Sequence, residues 1–178
     1  MIPQWCATAM GDAALAGERT REEEQAILRE TGGVLLADPA GFASAFFARL
    51  FARQPELRLL FPADHAAQAY TIAASLGALL AALDRPLELE RAVQDLGRRH
   101  RGYGARFADY LAVGEALIET LAERNGARFD AAARLAWARL VSWIVYRMRH
   151  AATDPRREAP PLRSTQRTPP PGITAEIG

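Results

Sequence analysis

Helix start and stop signals follow one another through the middle of the chain, and this succession most constrains how it can fold. Thr20 and Glu23 have the spacing of a capping box, in which each side chain satisfies a backbone N–H at a helix start. Asp38 followed by Pro39 supplies an N-cap and a proline at the first helical position. No stretch alternates apolar and polar residues at period two for long enough to form a strand. The pattern predicts an all-α protein of about seven helices with short connections.

The remaining helix boundaries are marked by the same kinds of residue. Asn125 followed by Gly126 is typical of a helix end, because glycine adopts the left-handed conformation that often closes a helix. The long helix before this stop is predicted to begin at about Phe107. The other predicted starts are set by residues that cap a helix or begin its first turn: Pro55, Asp64, Asp84 with Pro86, and Asp130.

The two ends of the chain differ from the middle in composition. Residues 1–18 show no clear period, which predicts an irregular N-terminal extension. Residues 153–178 hold six of the eleven prolines and no apolar periodicity. Because such a composition cannot bury enough surface to order itself, we expect a disordered tail. Residues 19–152 are left as one helical domain.

Composition excludes several classes of function. The formal net charge is +1 and the chain contains no lysine, so Schiff-base and P-loop lysine chemistry are both excluded. The small net charge predicts neither a nucleic-acid partner nor a membrane partner. Cys6 is the only cysteine, so no internal disulfide can form. No apolar run reaches the about 18 residues of a membrane span, and we expect a cytoplasmic protein.

Helical periodicity places a histidine on an apolar face. On the helix that ends at His100, one stripe carries Val93, Leu96 and His100, with Tyr103 one further step on, while the neighbouring arginines fall mostly off it. Gly97 removes a side chain beside the imidazole and would let a flat group approach closely. From this pattern alone, His100 is either a core residue or a ligand.

A second predicted helix carries an amide on an aliphatic stripe. Gln68 begins a series whose other members are Ile72, Leu76, Leu79 and Leu83. Since a buried amide needs hydrogen-bond partners, a bound ligand or ordered water is expected beside Gln68. A group of phenylalanines precedes this helix, and it is either plain core or the wall of a flat aromatic cofactor: Phe42, Phe46, Phe47, Phe51 and Phe61.

From about Thr20 to Arg149 the chain resembles the globin family, in particular bacterial single-domain haemoglobins and the globin module of flavohaemoglobins. FFARLFARQPELRLLFP resembles the segment with the distal aromatic residue and the phenylalanine that stacks on haem. LGRRHRGYGARFADYLAVGEALIETL resembles the segment with the proximal histidine and the following helix. Gln68 precedes His100 by 32 residues, which fits the family's spacing of distal glutamine and proximal histidine without a gap. The resemblance implies a globin fold over residues 19–152 around haem b.

The resemblance also implies a role for each matching residue. His100 would be the proximal ligand of the iron, and Gln68 the distal hydrogen-bond donor. Phe61 would pack on the macrocycle, and Ile72 would lie over the open coordination site. The other residues implied on the cofactor or near it are Phe47 as the distal aromatic, Leu96, Tyr103, and Tyr110 at a proximal tyrosine position. Trp137 matches a tryptophan common on the family's last helix.

Two positions depart from the pattern of these relatives. Many of them have tyrosine where this chain has Phe47, and a phenylalanine cannot donate a hydrogen bond to a gas ligand. The glutamate that polarises the proximal histidine in flavohaemoglobins corresponds here to Ala152. We therefore expect faster oxygen release than in tyrosine-bearing relatives and no glutamate to polarise the proximal histidine. Since only the short proline-rich tail follows the helical domain, we expect any reductase to be a separate protein.

Three functions are consistent with these features. The first is a haem globin that reversibly binds oxygen or nitric oxide at a five-coordinate or weakly six-coordinate iron. His65 is then either a solvated loop residue or a weak sixth ligand. The second is a gas sensor that acts through a protein partner, and the third is a haem-free interaction protein in which His100 belongs to the core. Nitric oxide dioxygenation with an external reductase is an extension of the first.

Overall fold

Only helices are found in the part of the chain that the computed structural model describes, which is residues 20–61, 65–101 and 106–153. For residues 65–67, 101, 107 and 150–153 it describes the backbone alone. The elements in order are α1 (Arg21–Ala37), α2 (Pro39–Arg53), a 3₁₀-helix (Pro55–Leu60), α3 (His65–Ala81), α4 (Pro86–Arg101), α5 (Phe107–Asn125), a 3₁₀-helix (Gly126–Arg128) and α6 (Ala131–Thr153). The predicted all-α class is confirmed. The predicted extension over 1–18 and most of the predicted tail lie outside the described residues.

The first two helices begin where their caps predict. The Glu23 backbone N–H donates to Thr20 Oγ1 at 3.3 Å, and the Thr20 N–H donates to Glu23 Oε2 at 2.8 Å, which forms the full capping box. Asp38 ends α1 and begins α2, because its Oδ1 accepts from the Gly41 N–H at 2.9 Å. Both predicted caps are confirmed.

The last two helices are separated by a stop and a start that were also predicted. Gly126 follows α5 with φ at +57°, a conformation that glycine adopts without the steric cost that a Cβ would add. Asp130 then caps α6, because its Oδ1 accepts from the Ala133 N–H at 2.8 Å. The short 3₁₀-helix between them was not predicted.

The helices pack around one apolar core. α2 lies against α3 and α5, α4 lies mainly against α6, and α1 contacts α3, α5 and α6. The largest side chains that are fully buried include Trp137, Phe42, Leu35, Leu50, Leu57, Ile118, Leu121 and Val93. Among the described residues no single helix has the length and apolarity to cross a membrane, although α1 and α2, bent by 98°, pass that test as a pair.

Three buried polar residues join α1, α5 and α6, and we call them the Trp137 network: Thr31, Asn125 and Trp137. Trp137 Nε1 donates to Thr31 Oγ1 at 2.8 Å. Asn125 Nδ2 donates to the carbonyl oxygens of Thr31 and Leu121, each at 2.9 Å. Because these groups are removed from water, each bond is needed to offset the cost of burying its donor. The sequence had suggested only a helix stop at Asn125.

Candidate functional site

The predicted division of α4 into two faces is confirmed. Val93 is fully buried, Leu96 and His100 are half-buried, and Arg98 and Arg99 are exposed. This division follows from the helical repeat, which keeps residues three, four and seven positions apart on one side. The imidazole therefore lies where an apolar face meets accessible space.

The His100 ring is held by its own helix. Its Nδ1 lies 2.9 Å from the carbonyl oxygen of Leu96. A carbonyl can only accept, so Nδ1 carries the proton and, in the neutral ring, Nε2 carries the lone pair. Burial lowers the pKa of His100, the hydrogen bond to Leu96 raises it by less, and the nearby Arg99 charge lowers it further. The site thus favours a neutral imidazole, which is the form that binds a metal.

Tyr110 of α5 lies beside His100. The two ring centroids are 6.1 Å apart and the rings are tilted by 37°. Tyr110 is half-buried, and burial followed by the nearby Asp109 carboxylate raises the pKa of its phenol. The hydroxyl therefore stays protonated at neutral pH and can donate a hydrogen bond. Tyr103, predicted on the same side, lies outside the described residues.

The space beside Gly97 is taken by protein backbone, which differs from the expectation of a flat group there. A Cβ at this position would lie 2.8 Å from the carbonyl oxygen of Met148 and 2.9 Å from its Cα. The missing side chain thus serves the crossing of α4 and α6. Sequence reasoning could not have found Met148 as the neighbour, because that contact depends on how two distant helices cross.

Phe47 and Phe61 meet in a cluster of rings formed by α2 and the residue after the first 3₁₀-helix. Their centroids are 5.2 Å apart in an edge-to-face arrangement. The Phe51 ring stacks on the Phe47 ring with 5.4 Å between centroids. The Phe46 ring meets the Phe47 ring edge-to-face with 5.1 Å between centroids. Such contacts favour the arrangement beyond burial alone. Phe47 is buried, whereas Phe61 is half-buried and so keeps part of its ring accessible.

Gln68 and Ile72 are half-buried on α3, and the centre of its buried face lies elsewhere. Among the side chains of this helix that the structure describes, the buried ones are Ala69, Ala73, Leu79 and Leu80. The helix α3 packs against α1 and α2, and the half-burial of Gln68 places it at the edge of these contacts. Of the predicted stripe, Leu79 and Leu83 are buried, whereas Gln68, Ile72 and Leu76 are half-buried. Alanine gives a weak signal in a sequence this rich in it.

The structure brings the predicted residues together in pairs. Phe47 contacts Phe61, and His100 lies beside Leu96 and Tyr110. Gln68 and Ile72 share one side of α3, since they are four residues apart. The side chains of His65 and Ala152 lie outside the description, although the backbone of each is helical. Trp137 belongs to the Trp137 network and is 1% exposed.

Fold and site together define an all-α protein with an imidazole at the edge of an apolar core. The family model described as Globin matches residues 44–148. The chain belongs to the globin family, and its all-α fold is that of a globin.

Curated relatives carry the name flavohemoprotein. The one from Bordetella pertussis is 29% identical over 107 residues, which is 58% of this chain and 27% of the relative. The one from Rhizobium meliloti is 28% identical over 103 residues, covering 56% of this chain and 26% of the relative. The chain therefore spans about a quarter of the length of these relatives. Family and relatives support haem binding.

Proposed function

We propose that this chain binds haem b through His100 and that the complex reversibly binds a diatomic gas, oxygen or nitric oxide. The observation that carries the proposal is the His100 imidazole, which is half-buried, disposed to be neutral, and oriented through Nδ1 to the Leu96 carbonyl oxygen. A second-sphere hydrogen bond of this kind fixes the tautomer of a metal-binding histidine. Haem would supply an iron centre able to take a gas ligand.

The residues present fit a flat, largely apolar group. Apolar side chains from α3, α4, α5 and the residue after the first 3₁₀-helix pack on the core yet remain partly exposed: Phe61, Ile72, Leu76, Leu96, Tyr110 and Val113. A side chain in this state has apolar surface left to bury against a ligand, and that burial is favourable at about 25 cal/mol per Å². No lysine competes as a cation, so arginines would meet any carboxylate of the group.

The remaining residues would set the character of the gas site. Phe47 offers an apolar ring without a donor, so it would exclude water without holding a polar ligand. Gln68 would be the donor on that side, and its position at the edge of the α3 contact leaves its amide room to turn. Ile72, one turn further on, would limit the size of the ligand. Tyr110 would stay protonated beside the His100 ring.

The direct test is the absorption spectrum of haem-reconstituted protein in the ferric, reduced and carbon-monoxide forms. Wild type should bind one haem and give a histidine-ligated spectrum that shifts with carbon monoxide. His100→Gly should lose this spectrum, and added imidazole should restore it, because free imidazole replaces the missing ligand. His150→Ala, which removes the histidine near the end of α6, is the matched control. The proposal fails if wild type binds no stoichiometric haem, or if His100→Gly leaves the spectrum unchanged.

Nitric oxide dioxygenation with a separate reductase is a second candidate, favoured by the similarity to proteins named flavohemoprotein. It predicts that the haem-loaded chain consumes nitric oxide in the presence of oxygen, an external flavin reductase and NADH, with nitrate as the product. Without the reductase, consumption should stop after one turnover. Consumption at the same rate with free haem in place of the protein would count against it.

A further inference from the structure

The helices α4 and α6 cross with their backbones close together at Gly97, three residues before the proposed ligand. At Gly97 the two helices approach so closely that a single added methyl group would lie 2.8 Å, 2.9 Å and 3.2 Å from backbone atoms of Met148. Packed carbon atoms normally lie about 3.5 Å apart or more. Backbone cannot rotate away as a side chain can, so any larger residue must push the helices apart.

Gly97 and His100 both lie on α4, so a displacement of this helix displaces both residues. They are three residues apart on one helix, about 4.5 Å along its axis and about 60° around it. The hydrogen bond from His100 Nδ1 to Leu96 ties the ring to the same helix. The distance of α4 from α6 therefore sets where the imidazole lies relative to the rest of the core.

A second contact holds α4 to α6 nearer the start of α4. Arg147, next to Met148, pairs with Glu90, and Glu90 also accepts from Gln94 Nε2 at 2.9 Å. Arg147 lies over the Trp143 ring, with 5.8 Å from the guanidinium carbon to the ring centroid. This pair orients α4 along α6, whereas the contact at Gly97 sets how close the two helices come.

We propose that Gly97 is a positioning residue for His100: by letting α4 lie directly on the backbone of α6 at Met148, it sets the position of the imidazole relative to the haem iron. The inference rests on the proposed function, because it concerns the same ligand. It goes beyond the identity of that ligand, since it names what fixes the position of the ligand in this chain.

The test is Gly97→Ala in the haem-loaded protein, measured by the iron–histidine stretching band of the reduced five-coordinate form in resonance Raman spectra and by the rate of haem loss. The band should move, and haem should leave about tenfold faster, as when a second-sphere group of a metal ligand is altered. The matched control is Gly33→Ala in α1, where a Cβ would meet nothing within 4 Å. It makes the same chemical change without the clash, and both readouts should stay at the wild-type values.

A double variant separates positioning from general damage. In His100→Gly with added imidazole, the ligand is no longer attached to α4. Adding Gly97→Ala to that protein should leave the band where it is, whereas a loss of packing alone would change it in both backgrounds. An unmoved band in folded, haem-loaded Gly97→Ala overturns the inference.

If Gly97→Ala does not fold, Glu90→Gln loosens the same helix pair without adding bulk. Because this variant changes the orientation of α4 on α6, it should also move the iron–histidine band, by a smaller amount than an added methyl group at Gly97 would. An unchanged band would overturn the inference. Failure of wild type to bind haem would instead overturn the proposed function, and the inference with it. The two failures are therefore distinguished by the wild-type spectrum.

Discussion

The two ends of α6 support different parts of the molecule in different ways. Near its start is the Trp137 network, whose residues are buried and hydrogen-bonded to one another. Near its end, α6 supports α4 and the residues that we call the His100 end: Leu96, His100 and Tyr110, all half-buried. The polar groups of the Trp137 network already have their partners within the protein, whereas the half-buried side chains of the His100 end keep surface that a ligand can cover. The comparison indicates that stability is concentrated at one end of α6 and binding at the other.

The largest expected effect is a contrast in stability between these ends. Trp137→Ala should lower the free energy of unfolding of the haem-free protein by about 3–5 kcal/mol, because it leaves a large cavity in the core. His100→Ala should cost about 1 kcal/mol, since the ring is only partly enclosed. Urea denaturation of the two haem-free variants measures both values. Equal losses would show that the His100 end is as much a part of the core as the Trp137 network.

A smaller effect is expected within the Trp137 network. Thr31→Val keeps the shape of the side chain but removes the acceptor of the Trp137 indole N–H. Because this leaves a buried donor unpaired, the free energy of unfolding should fall by about 1–3 kcal/mol. In a Trp137→Phe background that donor is absent, so the same substitution should cost less, with a coupling energy of at least about 0.5 kcal/mol. Four unfolding curves complete the cycle. Strict additivity would mean that this hydrogen bond contributes nothing to stability.

At the binding side, Phe47→Tyr should slow oxygen dissociation from the haem-loaded protein by about tenfold, because a hydroxyl donor to the ligand adds about 1.5 kcal/mol. Stopped-flow displacement of oxygen by carbon monoxide measures the rate. Phe51→Tyr is the matched control, since this ring stacks on Phe47 one turn further along α2. No change in Phe47→Tyr, or an equal change in both, would remove Phe47 from the distal position.

The smallest expected effect is the acid sensitivity of the junction between α1 and α2. The hydrogen bond from the Gly41 N–H, followed by the bond from Arg124, lowers the pKa of Asp38 below 3.8. A carboxyl whose pKa is lower in the folded state stabilises the protein above its unfolded pKa, and that contribution is lost as pH falls through the folded value. The unfolding midpoint in urea should therefore fall below about pH 4.

Asp38→Asn tests the assignment of that acid sensitivity, because asparagine can still cap α2 but does not titrate in this range. The variant should lose less stability than wild type between pH 5 and pH 3. Parallel pH profiles for the two proteins would place the acid sensitivity at other carboxyl groups, such as Glu123, whose pKa is lowered mainly by its hydrogen bond from Arg49.

Much of the fold could be predicted because its signals are local. The bonds at Thr20, Asp38 and Asp130 each join residues three positions apart, so the sequence contains both partners within one turn. The His100 stripe was predictable for the same reason, since the helical repeat relates residues three to seven positions apart. The buried face of α3 was predicted only in part: Leu79 is buried as expected, but the burial of Ala69 and Ala73 depends on which neighbouring helices they meet.

The sequence by itself determined where most of the helices begin and that an imidazole, His100, lies on an apolar helix face. These follow from the chemistry of residue types and from contacts along one helix. Only the tertiary structure decided that Trp137 donates to Thr31, 106 residues away, and that Gly97 lies on Met148. Contacts between distant residues depend on how the helices cross, and crossing is set by the packing of the whole core.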